Sequence, residues 1–188
     1  MIETSGSSLM TFEEFFEFEE YSEVRHEYVD GAVFEVSAPS VKHERIKQRL
    51  IMAFVNHLSR GPCEVFSSGM ALVIKQDESE FCYYPDIMVD CLRDASGHIF
   101  YGRPKLIVEI LSPSTQRIDR REKLQTYRQI DSVEEYVLAA QDECKVTFYR
   151  RADGWRPQEC ADRQAVVEFR SIDLTLPLSE IYRDVIVR

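Results

Sequence analysis

The sequence feature that most constrains the fold is one acidic residue inside a short apolar run. Residues 105–111 read K-L-I-V-E-I-L, so that branched aliphatic residues flank Glu109 on both sides. Apolar residues on both alternating sets of positions predict a central strand that is buried on both faces of its sheet. A buried carboxylate is costly unless it is paired or binds a metal. The alternative is a half-exposed strand on which Glu109 faces solvent, and the apolar residues on both faces argue against it.

A second acid lies in a similar setting. Asp86 follows Pro85 in the segment F-C-Y-Y-P-D-I-M-V-D, and three apolar residues come after it. Taken alone, an aspartate after a proline is as typical of a turn or a bulge as it is of a functional site. Together, Asp86 and Glu109 place two acids on two neighbouring strand candidates. Two carboxylates held close together can bind Mg²⁺, which polarises a phosphoryl oxygen and activates water.

A lysine in the next predicted helix is the third candidate. Lys123 lies in D-R-R-E-K-L-Q-T-Y, beside the apolar stripe that Leu124 and Tyr127 form. From that position its ammonium group can reach over the strand ends and stabilise developing phosphate charge. The alternative is a solvated helix lysine that pairs with Asp119 one turn earlier. Tyr127 itself is predicted to be a core residue.

The order of the predicted elements is typical of a mixed α/β (α+β) fold, with a central mixed β-sheet flanked by helices. A capping box at Thr11 and Glu14 begins the first helix, and Asp30-Gly31 predicts a hairpin turn. Pro85 should place its strand at an edge or at a bulge. Helices are predicted over 11–20, 41–59, 119–130 and after Pro177, strands over 25–29, 32–36, 64–67, 70–75, 82–89, 105–111, 134–139 and 145–150, and a long loop over 90–104.

Length and composition indicate one domain with its own core. The chain has 188 residues, of which 44% are hydrophobic. Residues 1–10 are expected to form a flexible tail, and residues 11–188 a single domain. The formal charge of −10 excludes a wholly basic nucleic-acid-binding surface, although a local basic groove stays open. No apolar run approaches the roughly 20 residues that a membrane-spanning helix needs.

The cysteines bear on the cellular compartment. They are five in number, and no two of them form a C-x-x-C pair. This pattern predicts neither a disulfide framework nor a structural zinc site. With no visible signal peptide, it favours a reducing, cytoplasmic location.

The motifs together resemble the Uma2 family, which belongs to the PD-(D/E)xK superfamily of restriction-endonuclease-like folds. The likeness spans Thr11 to Tyr182 and rests on P-D-I-M-V-D, K-L-I-V-E-I-L-S-P-S-T, D-R-R-E-K-L-Q-T-Y and E-E-Y-V-L, with H-E-Y-V-D-G, S-A-P-S-V-K-H-E-R-I and T-L-P-L-S-E-I-Y around them. The resemblance implies a restriction-endonuclease-like core and an endonuclease that hydrolyses the DNA backbone with Mg²⁺ or Mn²⁺.

The resemblance also implies roles for individual residues. Asp86 would be the motif aspartate and Glu109 the motif acid, and both would bind the metal. The superfamily usually carries its lysine two positions after the acid, where this chain has Leu111. The catalytic lysine would therefore be Lys123, in the following helix.

Further residues are accessory candidates by the same resemblance. Glu27 would be an additional ligand or an orienting group, and His43 would line the groove or contact phosphate. The alternatives are an exposed hairpin glutamate and an ordinary polar residue at a helix start. The candidates for phosphate contacts form a basic cluster just before Lys123, namely Arg117, Arg120 and Arg121. A homodimer is expected by family analogy only.

Three functions are therefore open. The first is a metal-dependent endonuclease. The second is a nucleic-acid-binding module with the same fold and weak or absent catalysis, and the third is an interaction protein. Convergence of Asp86, Glu109 and Lys123 within about 6 Å would favour the enzyme, because charges interact strongly at that range.

Overall fold

The computed structural model describes residues 9–91 and 103–186. Most of the expected tail over 1–10 and of the expected long loop over 90–104 therefore lies outside the described residues. Met10 is among those described, and its backbone N–H donates to the Gly31 carbonyl at 2.9 Å.

Within these ranges the chain alternates short strands with five α-helices. The helices are α1 (Phe12–Tyr21), α2 (Val41–Leu58), α3 (Gln116–Ile118), α4 (Leu124–Tyr127) and α5 (Leu178–Ile181), with a π-helical turn at Asp119–Lys123 between α3 and α4. The strands are β1 (His26–Val29), β2 (Ala32–Glu35), β3 (Glu64–Ser67), β4 (Leu72–Gln76), β5 (Ser79–Tyr83), β6 (Ile87–Asp90), β7 (Pro104–Leu111), β8 (Glu135–Ala140), β9 (Val146–Arg150), β10 (Gln158–Cys160), β11 (Val166–Phe169) and β12 (Leu174–Pro177).

The central sheet has six strands in the order β10-β9-β8-β7-β6-β3. Strands β7 and β8 run parallel, and the other neighbouring pairs run antiparallel. A second sheet has the order β2-β1-β5-β4, and β11 pairs with β12 in a third. The expected mixed α/β fold with helices against a mixed central sheet is confirmed.

Strand β7 lies inside the sheet and is buried along almost its whole length, as the K-L-I-V-E-I-L run predicts. Its residues alternate between two cores. Leu106, Val108 and Ile110 pack with α2 on one face, whereas Ile107 and Leu111 pack with aromatic residues of the 116–127 segment and of β8 on the other. Because side chains alternate along a strand, Glu109 shares the second face.

The N-terminal elements follow their local signals. Thr11 and Glu14 form the complete capping box of α1. The turn between β1 and β2 places Asp30 at φ 46° and Gly31 at φ 92°. Both residues of a tight hairpin turn require this left-handed region, which glycine and aspartate tolerate. Ser40 caps α2 by accepting the His43 N–H at 3.1 Å.

Two predicted elements differ from the structure, and one strand pair has no predicted counterpart. The strand expected over 82–89 is two strands, since Pro85 and Asp86 separate β5 in the second sheet from β6 in the central sheet. The helix expected over 119–130 begins at Gln116 and contains a π-helical turn. The β11–β12 pair was not predicted, because its short strands carry no long apolar run.

Two cysteines pair, contrary to the sequence expectation. Cys63 precedes β3 and Cys91 follows β6, and the register of these strands sets Glu64 opposite Asp90. The structure joins the two sulfur atoms in a disulfide. The spacing of the cysteines, which predicts no disulfide framework, does not reveal this single pair, because spacing does not show which strands become neighbours. The other cysteines are free thiols, namely Cys82, Cys144 and Cys160.

None of the helices in the part of the chain described is long and apolar enough to cross a membrane.

Candidate active site

Asp86 and Glu109 come together because β6 and β7 are antiparallel neighbours. The register pairs Ile87 with Val108, which brings the residue before β6 beside Glu109. The Asp86 N–H donates to Glu109 Oε2 at 3.2 Å. Asp86 Oδ2 in turn accepts the Ile110 N–H at 2.8 Å. These reciprocal hydrogen bonds fix both carboxylates at one end of the strand pair.

Lys123 reaches the same point from the π-helical turn. Its Nζ donates to Glu109 Oε1 at 3.1 Å and lies 3.6 Å from Asp119 Oδ1. It also lies 5.2 Å from the centre of the Tyr83 ring. The side chain is buried, so the alternative of a solvated lysine is wrong. Its partner in that alternative, Asp119, is buried with it.

Glu27 joins the site from β1, in the other sheet. Lys123 Nζ donates to Glu27 Oε1 at 2.8 Å, and the Tyr84 N–H donates to the same oxygen at 3.3 Å. The alternative of an exposed hairpin glutamate is therefore wrong. Glu27, Glu109 and Lys123 are each at most 5% exposed. One ammonium group thus links the two sheets through two buried carboxylates.

Burial dominates the electrostatics of this cluster. Desolvation raises the pKa of Glu109 well above its ordinary range; Lys123 opposes this shift, and Asp119 and Asp86 add to it. Desolvation likewise raises the pKa of Asp119. Burial alone would lower the pKa of Lys123, but Glu109, Glu27 and Asp119 outweigh it and hold that pKa well above its usual range. The ammonium group is therefore the fixed charge of the cluster.

Tyr127 belongs to the site as well as to the core. Its hydroxyl donates to Glu109 Oε1 at 3.1 Å. Burial raises the pKa of Tyr127 well above its usual range, which keeps the hydroxyl protonated as a donor. Sequence reasoning assigned this residue to the core alone. Its spacing one turn after Lys123 is the sequence signal that could have linked it to the site.

His43 lies against Asp86 from the start of α2. Its Nε2 is 3.0 Å from Asp86 Oδ2, and since a carboxylate oxygen accepts, the ring nitrogen is the donor. The N-cap residue Ser40 donates through its hydroxyl to the Gln141 side-chain oxygen at the end of β8. This contact ties the beginning of α2 to the sheet and so fixes the position of His43.

Apart from Tyr83 and Tyr127, the residues of this site line a cleft of about 560 Å³. Its wall contains Asp86, Glu109 and Lys123 together with the 112–115 turn that follows β7. The three arginines expected to contact phosphate do not line it: Arg117, Arg120 and Arg121. Arg117 pairs instead with Glu122 at 2.9 Å on the exposed side of the helical segment.

The oxygen atoms of the site fit a divalent cation of the Mg²⁺ type. Within the residues described, Asp86 Oδ1 accepts no hydrogen bond and Glu109 Oε2 accepts only one. Four carboxyl groups, of Glu27, Asp86, Glu109 and Asp119, stand against the single ammonium of Lys123 in this cluster. Residues 9–91 and 103–186 contain no group of three or more His, Cys, Asp or Glu side chains arranged as a fuller metal shell. Mg²⁺ binds through one or two carboxylates and keeps several waters.

The chain is similar over nearly its whole length to known proteins. The uncharacterized protein slr1290 of Synechocystis sp. (strain ATCC 27184 / PCC 6803 / Kazusa) is 33% identical over 176 residues, which cover 91% of this chain and 90% of that protein. The uncharacterized protein sll1609 of the same organism is 28% identical over 174 residues, which cover 90% and 97%.

A solved structure shares the fold. The crystal structure of "a putative nuclease belonging to DUF820" from Anabaena variabilis ATCC 29413 superposes with a TM-score of 0.79 at 21% identity, covering 94% of this chain and 99% of that one. Residues 12–179 match the family model Uma2, which is described as "Putative restriction endonuclease". Since this match spans most of the chain, the protein belongs to the Uma2 family.

Proposed function

We propose that this protein is a metal-dependent endonuclease that hydrolyses phosphodiester bonds of nucleic acid, with DNA as the expected substrate. The observation that carries the proposal is the meeting of Asp86, Glu109 and Lys123 in the wall of one cleft. Two hard oxygen ligands beside one ammonium group suit hydrolysis at phosphorus. The family description supports the same reaction class.

Asp86 and Glu109 would hold the metal ion, Mg²⁺ or Mn²⁺. When bound, such an ion supplies Lewis-acid polarisation of the phosphoryl oxygen and of the attacking water. The site is preorganised for the ion. His43 and the Ile110 N–H both donate to Asp86 Oδ2, which leaves Oδ1 for the ion. The Asp86 N–H holds Glu109 Oε2 in the same way.

Lys123 would act on the reacting phosphate. An ammonium group has three N–H donors, of which Glu27 and Glu109 accept two. Asp119 Oδ1, at 3.6 Å, lies beyond hydrogen-bond distance, so the third would be available to a phosphoryl oxygen or to the attacking water in the cleft. Charge that develops on the phosphate would be stabilised without reorganisation, because the ammonium is already held in place. Glu27 would act through Lys123, as an orienting residue.

The second candidate function is a nucleic-acid-binding or interaction module with the same fold and little or no catalysis. One observation favours it. Leu111 stands where the superfamily usually carries its lysine, and it is buried in the apolar core rather than turned to the cleft. The alternative therefore depends on whether Lys123 takes over that function.

The deciding experiment is cleavage of supercoiled plasmid, single-stranded DNA and RNA with Mg²⁺, with Mn²⁺ and with EDTA. We expect metal-dependent cutting by the wild type and a loss of at least about 100-fold in Asp86→Asn, Glu109→Gln and Lys123→Met. The ratio of nicked to linear plasmid shows whether one strand or both are cut in an encounter.

A matched control uses an ion pair between the start of β7 and the residue before β8. Lys105 on β7 and Glu134 lie 3.5 Å apart and away from the cleft. Lys105→Met and Glu134→Gln should cut at the wild-type rate. Cutting that survives all three site substitutions would contradict the mechanism, and metal-dependent binding without any cutting would favour the binding module.

A further inference from the structure

The cleft is lined by more acids than cations, although its proposed substrate is a polyanion. Within the described residues its lining cations are Arg25, Lys47 and Lys123. Its acids are Glu27, Glu35, Asp86, Glu109 and Asp119. A phosphate next to the reacting one therefore needs a cation that is not already neutralised.

Two of the three cations are already engaged. Lys123 is held by Glu27 and Glu109. Lys47 has a side chain only 11% exposed, pairs with Glu44 and lies 3.3 Å from the Ser68 hydroxyl. These ammonium groups have little freedom to turn toward a long ligand.

Arg25 is different in exposure and in pairing. Its side chain is 56% exposed, and its nearest carboxylate contact is 3.8 Å, from NH1 to Glu19 Oε1. That separation is beyond hydrogen-bond distance, so the planar guanidinium keeps its donors for a ligand. Arg25 precedes Glu27 by two residues in the chain, and both line the cleft.

The guanidinium also has a fixed support. Its central carbon lies 5.3 Å from the centre of the Tyr84 ring. The Tyr84 hydroxyl donates to Glu19 Oε1 at 3.1 Å, and its N–H donates to Glu27 at 3.3 Å. Tyr84 is therefore held at its backbone and at its hydroxyl, and it lies two residues before Asp86. A guanidinium that lies over a fixed ring loses little freedom when it binds.

We propose that Arg25, whose guanidinium lies over the Tyr84 ring, binds a phosphate of the nucleic-acid backbone adjacent to the one that is cleaved. This inference rests on the proposed nuclease function and assigns a substrate contact within the same cleft. The fork of the guanidinium matches two oxygens of one phosphate. Arg25 would thus fix the position of the nucleic-acid strand while Asp86, Glu109 and Lys123 act on the neighbouring phosphodiester bond.

The test measures binding and cutting separately. Fluorescein-labelled single-stranded and duplex 20-mers are titrated by anisotropy in EDTA, at several salt concentrations, and cutting is then measured with Mg²⁺ or Mn²⁺. For Arg25→Ala we expect about tenfold weaker binding and a similar rise in KM, with kcat within about twofold of wild type. The slope of log K against log salt should fall by roughly one phosphate contact, about 0.7 to 0.9.

Two further variants separate this contact from a folding effect. Arg25→Lys should keep the salt slope, because the charge remains, yet bind several-fold more weakly, because the fork is lost. Arg183→Ala removes an arginine of similar exposure (52%) that pairs with Glu180 outside the cleft, and it should bind like wild type.

The outcomes distinguish this inference from the function on which it rests. A wild type that neither binds nor cuts nucleic acid overturns both. A wild type that cuts, with Arg25→Ala equal to it in KM and in salt slope, overturns the phosphate contact alone. A fall in kcat without a change in KM also overturns it, because Arg25 would then act on the chemistry.

Discussion

Lys123 Nζ lies 2.8 Å from Glu27 Oε1, although the two residues are 96 positions apart in the chain. One belongs to a helical segment beside the central sheet and the other to a hairpin strand of the second sheet. The same ammonium group donates to Glu109 on the central strand β7. The two sheets are therefore joined by a buried charge cluster at the floor of the cleft.

Removing the ammonium group should destabilise the fold. In Lys123→Met, Glu27 and Glu109 stay buried and lose their common partner, and breaking a buried pair in this way costs about 3–5 kcal/mol. Urea denaturation in EDTA measures the free energy of unfolding. Lys105→Met, on the exposed end of β7, should lose less than about 1 kcal/mol. A free energy equal to that of wild type for Lys123→Met would contradict the role of the ammonium in the cluster.

The pH dependence of stability should report the buried carboxyl of Glu109. Its pKa in the folded protein is raised above the ordinary value of 4.5, so the folded state binds more protons than the unfolded state above pH 4.5. The protonated Glu109 carboxyl therefore contributes stability that is lost as the pH rises from 4.5 through the folded pKa. Glu109→Gln lacks this loss and should gain on wild type with rising pH, by at most about 1.4 kcal/mol per pH unit.

Denaturant melts in EDTA between pH 4 and 8 measure this difference. Glu134→Gln, which removes an exposed carboxyl, should run parallel to wild type. If the free energy of unfolding of Glu109→Gln relative to wild type stays constant or falls as the pH rises, the carboxyl is not buried as described.

Divalent cations should stabilise the folded protein through Asp86 and Glu109. A ligand that binds only the folded state at 100 times its Kd adds about 2.7 kcal/mol. Thermal melting and calorimetric titration with Mn²⁺ measure this effect without any substrate. Asp86→Asn and Glu109→Gln should abolish it, whereas Glu134→Gln should retain it. Equal Mn²⁺ binding by all three variants would place the ion elsewhere.

The Tyr127 hydroxyl should contribute to stability through Glu109. Tyr127→Phe keeps the ring and removes one hydrogen bond to a buried carboxyl, which costs about 1–3 kcal/mol. Tyr149 packs in the same aromatic cluster, and no residue of the described ranges is hydrogen-bonded to its hydroxyl, so Tyr149→Phe is the matched control. If the two substitutions cost the same free energy, the Tyr127 contact is not the cause.

The Cys63–Cys91 disulfide should be visible in a thiol count. The denatured protein, purified without reductant, should titrate with three thiols, from Cys82, Cys144 and Cys160. Reduction should raise the count to the five cysteines of the sequence. Closing a loop of 28 residues stabilises a fold by roughly 3–4 kcal/mol, so reduction should lower the free energy of unfolding by about that amount. Five thiols before reduction would contradict the pairing.

Local patterns in the sequence were sufficient for much of the fold. The capping box at Thr11, the Asp30-Gly31 turn and the apolar run around Glu109 each determine a conformation or a burial within a few neighbouring residues. The structure shows all three as expected. Such features are predictable because their physical causes, namely capping hydrogen bonds, positive φ and alternating burial, act over short distances.

The sequence by itself determined that Glu109 would be buried and would therefore need hydrogen-bond or charged partners. Its motifs indicated that Asp86 and Lys123 lie in the same site. Only the tertiary structure decided that Glu27 and Tyr127 share these contacts, that Pro85 carries the chain from one sheet to the other, and that the expected arginines lie outside the cleft. The physical reason is that a strand pattern specifies which face of the strand is buried but not which distant strand or helix will cover that face. That choice depends on sheet register and packing over the whole chain.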